Sequence, residues 1–358
     1  MPDRSPFEVI KPEVRAAAAY TLTHFEADVK LDQNENPYEI PADLKRRIVA
    51  RVLERDWGRY PEFVPEQLIQ TLARFSGWSE DGILVGNGSN ELISAAVAAT
   101  LGPGKTVAIP QPTFALYALI AKAAGATIQP VPLKEADFSF DVETLLEAAR
   151  TSDVVIVCSP NSPTGSVLAR SDARRLVSEA RGLVIIDEAY HEFSGGTLFP
   201  LLEEFDNLLL LRTLSKAWSL AGIRFGYMMA STAIAAEIRK VKLPYSVNIF
   251  ALAAAELIVE ELAVEGSVNK LIAARELLAA ELDSRDGVEA FPSQANFILF
   301  RTRFVARRLF DALYQAGVLV RDVSGYPMLR RCLRVSVGTP EENTRFLEAL
   351  DRALETLE

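Results

Sequence analysis

Lys216 sits in the segment LLLLRTLSKAWSLAGIRFGY, residues 208–227, where four leucines run into small polar residues, one lysine and then Arg224. A lysine carried out of water behind an apolar strand has a lowered pKa and becomes a usable amine nucleophile for carbonyl chemistry. Thr213 and Ser215 supply hydroxyls and Arg224 a fixed positive charge, a donor set suited to a phosphate. Three other sets share this form, with polar residues directly after a short apolar run. GNGSNE (86–91) joins such a run to a helical pattern, and the free N–H groups at Ser89 and Asn90 suit an anion. Its spacing is neither that of a Walker loop nor that of a dinucleotide turn. CSPNSPTG (158–165) presents the amide of Asn161 from an irregular loop. VIIDEAY (184–190) ends a buried run on Asp187, a costly position for a carboxylate without a cationic partner, and Tyr190 follows three residues later. Each set alone reads more simply as a turn, a helix cap or an exposed loop; the weight lies in their occurring together.

The elements that must position these residues follow from hydrophobic patterning. Short apolar runs start near residues 83, 106, 127, 153, 182, 208 and 224 and alternate with helical patterns such as NELISAAVAATL and RSDARRLVSEAR. Strands alternating with helices predict an α/β fold with a mostly parallel seven-stranded sheet covered on both faces. Ligands in such sheets bind beyond the carboxyl ends of the strands, where all four polar sets fall. After Pro244 the pattern changes to one or two long helices over 249–284. ANFILFR (295), a helix over 303–316, GVLVRD (317) and CLRVSVG (332) then predict a smaller α+β unit. The final helix, about 340–357, opens with Thr339 as N-cap and Pro340 at the first helical position. The reading is a large domain over 36–262 and a small domain built from both chain ends, 1–35 and 263–358.

With 358 residues and 49% hydrophobic content, the chain can bury a core of this size. Its net charge of −10 and lack of a basic block argue against nucleic acid or an anionic membrane as partner. Two histidines are too few for an imidazole metal site, and the two cysteines read as buried thiols of a reducing compartment. The first ten residues lack a signal-peptide core, and no apolar run reaches membrane length, so a cytoplasmic protein is expected.

A phosphate cradle, an aspartate at a strand end and a shielded lysine together meet the needs of pyridoxal 5'-phosphate. The aspartate keeps the ring nitrogen protonated and the lysine holds the aldehyde. SPNSPTG, DEAY and TLSKAWSLAGIRFGY, in this order, resemble the fold-type I, class I/II aminotransferases over essentially the whole chain. LDQNENPY (31–38), RYPE (59–62), VRD (320–322) and CLRVSVGTPEEN (332–343) make it most similar to the histidinol-phosphate aminotransferases. The resemblance implies Lys216 as the Schiff-base lysine and proton shuttle, and Asp187 as the partner of the ring nitrogen. It implies Tyr190 and Asn161 on the ring oxygen, and Ser89, Asn90, Thr213, Ser215 and Arg224 on the phosphate. Phe114 would stack on the ring, and Tyr60 would reach the cofactor of a second subunit in a homodimer. Arg334 would bind the substrate anion, with Arg321 and Tyr20 as added donors and Asn36 lining the same pocket. The implied reaction exchanges an amino group between glutamate/2-oxoglutarate and histidinol phosphate. An aromatic amino acid aminotransferase and a threonine-phosphate decarboxylase are the alternatives, and a cofactor-binding regulator is a distant third. The chain departs from the family pattern in AAYTLTHF, which lacks the usual prolines and glycine, in Phe114 for a tyrosine and in Asn90 for an aspartate.

Overall fold

The structure, a computed structural model, describes residues 6–17 and 25–357; Tyr20 lies outside the described residues. Thirteen strands occur in chain order among the described residues. They are β1 (Val29–Lys30), β2 (Ile83–Asn87), β3 (Thr106–Gln111), β4 (Thr127–Pro132), β5 (Val154–Cys158), β6 (Leu183–Asp187), β7 (Leu208–Thr213), β8 (Phe225–Ala230), β9 (Val288–Ala290), β10 (Phe297–Thr302), β11 (Val318–Leu319), β12 (Arg321–Asp322) and β13 (Cys332–Ser336). The helices are α1 (Pro12–Arg15), α2 (Ala42–Leu53), α3 (Glu66–Ser76), α4 (Ser89–Thr100), α5 (Ala115–Ala124), α6 (Val142–Ala149), α7 (Arg170–Glu179), α8 (Thr232–Arg239), α9 (Ile249–Glu261), α10 (Glu265–Asp283), α11 (Ala306–Gln315) and α12 (Pro340–Leu357).

Seven strands form one sheet in the order β2-β8-β7-β6-β5-β3-β4. All neighbours are parallel except β8, which runs antiparallel to both β2 and β7. The edge strand β4 carries Pro130 and Pro132, which cannot donate to a ladder and are best tolerated where one side of the strand is unpaired. In β5 to β7 the side chains divide by period two between two cores. Val155, Val157, Val184 and Ile186 face the cluster that includes α9. Ile156, Ile185, Leu209 and Leu211 face the one that includes α4 and α5. With both faces covered, the strands read as continuous apolar runs.

A four-stranded antiparallel sheet, β12-β13-β10-β9, and the two-stranded parallel pair β1-β11 build the smaller unit. Ile298 and Phe300 of β10 pack with α11, α12 and β1, while Phe297 and Leu299 face the core of the large sheet. The beginning of the chain divides between the units. β1 pairs with β11, but α1 lies against α5, where Lys11 Nζ donates to Ala123 O at 3.1 Å. Ala16 and Ala17 on one side and Ala115 and Ala118 on the other line a cavity beside that contact. The long helical stretch is two helices, α9 capped by the Asn248 side chain on Ala251 N. Thr339 opens α12 as a reciprocal capping box: its hydroxyl accepts from Glu342 N, and the Glu342 carboxylate accepts from Thr339 N.

Candidate active site

The carboxyl ends of β2, β5, β6 and β7 and the start of the antiparallel β8 all lie along one edge of the large sheet. Against this edge lies a cavity of about 280 Å³. It is lined by Lys216, Asp187, Tyr190, Thr213, Ser215, Arg224, Ser89, Asn90 and Phe114 from the large sheet's side, and by Arg321 and Arg334 from the smaller unit.

Asp187 is the last residue of β6 and is 4% exposed. Its Oδ2 accepts from the wholly buried Tyr117 hydroxyl at 2.7 Å, and its Oδ1 accepts from Ala189 N at 3.0 Å. Burial pushes this carboxyl up to about 6, and the adjacent Glu188 adds to the rise; the two donors pull against it. Glu188 itself turns away from the cavity. It pairs with Arg212 at 3.0 Å and accepts from Thr197 and Leu198, so its buried charge is fully bonded.

Lys216 follows β7 and donates from Nζ to Gln33 O at 2.9 Å, with Nζ 5.8 Å from the Tyr190 ring centroid. Burial lowers its amine to about 8, and the positive charges of Arg334 and Arg224 assist; Glu35 opposes. The amine is therefore neutral in a substantial fraction near physiological pH. Tyr190 is held by Asn34, whose Nδ2 donates to the phenol at 3.0 Å, and burial raises its hydroxyl to about 12.

The end of the cavity at α4 is built from backbone as much as side chains. Gly88, at φ +75°, precedes α4, and Ser89 and Asn90 open it. Arg224 Nη1 donates to Ser215 Oγ at 3.2 Å, and Thr213 Oγ1 bonds Ser215 Oγ at 2.9 Å. A Cβ on Gly226 would stand 2.3 Å from Ser89 N, and one on Gly88 2.4 Å from Arg224 Nη2. Both glycines thus let the helix N-terminus, β8 and the arginine meet at one point.

The sequence profile of the aminotransferases of class I and II matches residues 26–350. The chain belongs to this family. Among the relatives of this aminotransferase is the histidinol-phosphate aminotransferase of Chlorobium phaeovibrioides, 40% identical over 95% of this chain and 96% of that protein. The crystal structure of the histidinol-phosphate aminotransferase from Clostridium acetobutylicum superposes with a TM-score of 0.85 at 26% identity, covering 92% of this chain and all of that one. That of the Sinorhizobium meliloti histidinol-phosphate aminotransferase, solved in complex with pyridoxal-5'-phosphate, shares the fold at a TM-score of 0.84 and 24% identity, covering 93% and 92%.

Two residues expected in the pocket of this aminotransferase, Asn161 and Asn36, stand elsewhere. Asn161 is wholly buried and its amide is spent on Thr113, Pro112 O and Thr164, fixing the loop after β5; its neighbour Ser162 lines the cavity instead. Asn36 bonds Ala217 O and Tyr38 N, bracing the Lys216 loop from behind, next to a separate polar cavity. Tyr60, expected to reach a second subunit, is 82% exposed and stacks on Tyr245, 4.7 Å between centroids.

Sequence reading missed Tyr117, Asn34 and Ser162. Tyr117 lies three residues after Phe114, a spacing that places both on one face as α5 begins, and their rings meet edge to face at 5.4 Å. Asn34 takes a left-handed backbone, φ 55°, a conformation asparagine tolerates better than most residues. Among the described residues no group of acidic, cysteine or histidine side chains could hold a metal, and no helix is long and apolar enough to cross a membrane.

Proposed function

We propose that this aminotransferase exchanges an amino group between glutamate/2-oxoglutarate and histidinol phosphate, using pyridoxal 5'-phosphate. The observation that carries the substrate reading is the pairing of Arg321 with Arg334. They are direct cross-strand partners on β12 and β13, and both line the cavity that holds Lys216 and Asp187. Like charges set opposite one another on neighbouring strands repel, and a dianionic phosphate ester placed between them relieves that repulsion. The names of the similar proteins point to the same substrate.

The residues fit the cofactor at each of its groups. Ser89, Asn90, Thr213, Ser215 and Arg224 would hold the phosphate, and the close approach allowed by Gly88 and Gly226 supports this. Asp187 would pair with the ring nitrogen, Phe114 would pack on the ring face, and Tyr190 would donate to the ring oxygen, with Ser162 rather than Asn161 facing the cavity beside it. When bound, the cofactor supplies an electron sink for the pair left at the substrate Cα. Lys216 Nζ, kept partly neutral by burial, takes the proton from Cα and returns it. Asp187, ionised at neutral pH, keeps a proton on the atom it faces. Arg334 alone can fork a carboxylate, which serves glutamate; its own hold on Ser162 Oγ and Asp32 O keeps the guanidinium oriented.

A homodimer is part of the proposal. Tyr60 and Phe63 both pack on Tyr245 in an exposed aromatic patch, and Trp57 and Leu243, near them in sequence, are exposed as well. A patch of this kind is unusual on a monomer and suits a second copy, into whose site Tyr60 would reach. The two free, buried cysteines support a cytoplasmic setting.

Replacement of Arg321 tests the substrate reading. Arg321→Ala should raise KM for histidinol phosphate by roughly tenfold or more, the loss of one charge-assisted contact, and leave KM for glutamate nearly unchanged. Equal effects on both substrates, or none on either, would sink the phosphate assignment.

A further inference from the structure

Tyr190 meets the cavity through a phenol whose hydrogen has two possible destinations, and three buried residues decide between them. Asn34 Nδ2 donates to the phenol oxygen at 3.0 Å, so the phenol's own hydrogen is not consumed by that bond. Which end of the Asn34 amide faces Tyr190 is set on its other side. Ser336 Oγ accepts from Asn34 N at 2.8 Å and donates to Asn34 Oδ1 at 3.2 Å. Were the amide reversed, Ser336 Oγ would face two donors, and its hydrogen would lose the only acceptor shown for it among the described residues. An unsatisfied buried hydroxyl is penalised, so the reversed amide is disfavoured. Asn296 Nδ2, donating to Asn34 O at 3.0 Å, holds the left-handed backbone in place. Ser336 and Asn34 are 3% and 1% exposed, which keeps competing water away.

We propose that Ser336 is a positioning residue for the reaction: it fixes the Asn34 amide with its nitrogen toward Tyr190, leaving the Tyr190 hydrogen to be donated into the cavity. β13 then delivers two functions on one face, since Arg334 and Ser336 are two residues apart. Arg334 engages the anion of the substrate, and Ser336 orients, through Asn34, the donor to the ring oxygen. The proposal rests on the cofactor assignment above. The charged and titratable groups around the Tyr190 phenol are Arg334 from β13, Asp187 from β6, Cys158 from β5 and Lys216 beyond β7. None of them intervenes between Ser336 and Asn34.

The test is a double-mutant cycle read from the spectrum rather than from turnover. The visible band of the cofactor-loaded protein is titrated against pH in wild type, Ser336→Ala, Tyr190→Phe and the double variant. A donor removed from the ring oxygen disfavours its anionic form, so the midpoint moves to higher pH. Ser336→Ala should shift it upward by about one pH unit, the equivalent of one hydrogen bond to a charged group. In the Tyr190→Phe background the same substitution should add no shift, because no phenolic hydrogen remains to redirect. No shift in the Tyr190 background, or an equal shift in both, overturns the proposal, the latter marking a general structural effect. Wild-type protein that takes up pyridoxal phosphate without a titrating band would instead overturn the cofactor assignment, so the two failures are distinguishable.

Discussion

Asp187 is a charge held at a cost. The carboxyl ionises near 3.8 in an unfolded chain and at about 6 in the fold. A folded-state value above the unfolded one means that the fold binds this proton more tightly. The ionised group therefore subtracts stability above pH 6, and the penalty fades as pH falls from 6 towards 3.8. Asp187→Asn should stabilise the cofactor-free protein at pH 8 by on the order of 2 kcal/mol and by less at pH 5, while lowering turnover by orders of magnitude. Urea unfolding of both proteins at the two pH values measures the first effect. A destabilisation of the same size at both would contradict it. Such a trade of stability for function is common where a site needs a buried charge. At this scale the sequence was informative wherever a strand ends in a polar residue: Asp187 after VIID and Lys216 after LLLLRT announce themselves. It was silent where the choice lies between adjacent residues of a loop. In SPNSPTG the chain turns Asn161 into the protein and Ser162 toward the cavity; in QNEN it turns Asn34 inward by a left-handed backbone and sets Asn36 behind the lysine loop. Periodicity says nothing about such turns.

The element that organises the proposed phosphate end is the junction of β2, α4 and β8. Gly86 and Gly226 are register partners across β2 and β8, so neither strand presents a side chain at that rung. The N-terminus of α4 settles into the space. A methyl group at 226 would strike the backbone of Gly88 and Ser89, at 2.7 and 2.3 Å, and backbone cannot yield as a flexible side chain can. Gly226→Ala should therefore weaken cofactor affinity by about tenfold or more, through displacement of the helix end rather than loss of any donor. Equilibrium titration of the cofactor-free variant measures this; unchanged affinity would place the phosphate elsewhere. The strands and helices themselves were readable from their apolar runs and caps, Thr339 among them. The antiparallel direction of β8 and the Arg321–Arg334 register were not, because both depend on pairing between segments far apart in sequence.

Across the whole molecule, the site exists only where two units meet. The large sheet supplies Asp187, Lys216 and the proposed phosphate end; the smaller sheet supplies Arg321, Arg334 and Ser336. One core runs between the units through Phe297 and Leu299, which ties the smaller sheet to the larger one. The proposed dimer adds a third contributor, and it can be tested by complementation. Lys216→Ala and Tyr60→Ala chains, each impaired alone, should recover activity when mixed and allowed to exchange subunits. In the mixed dimer one site keeps both its own lysine and the partner subunit's tyrosine. No recovery despite exchange would show that Tyr60 acts within its own chain or not at all. The most direct test of the account is a single half-reaction. Cofactor-loaded protein is mixed separately with histidinol phosphate, phenylalanine and threonine phosphate, and the visible absorbance of the cofactor is followed. Rapid loss of the band with histidinol phosphate, and slow or no loss with the other two, is the expected result. Conversion mainly by phenylalanine would contradict the pairing of Arg321 and Arg334 as a phosphate site.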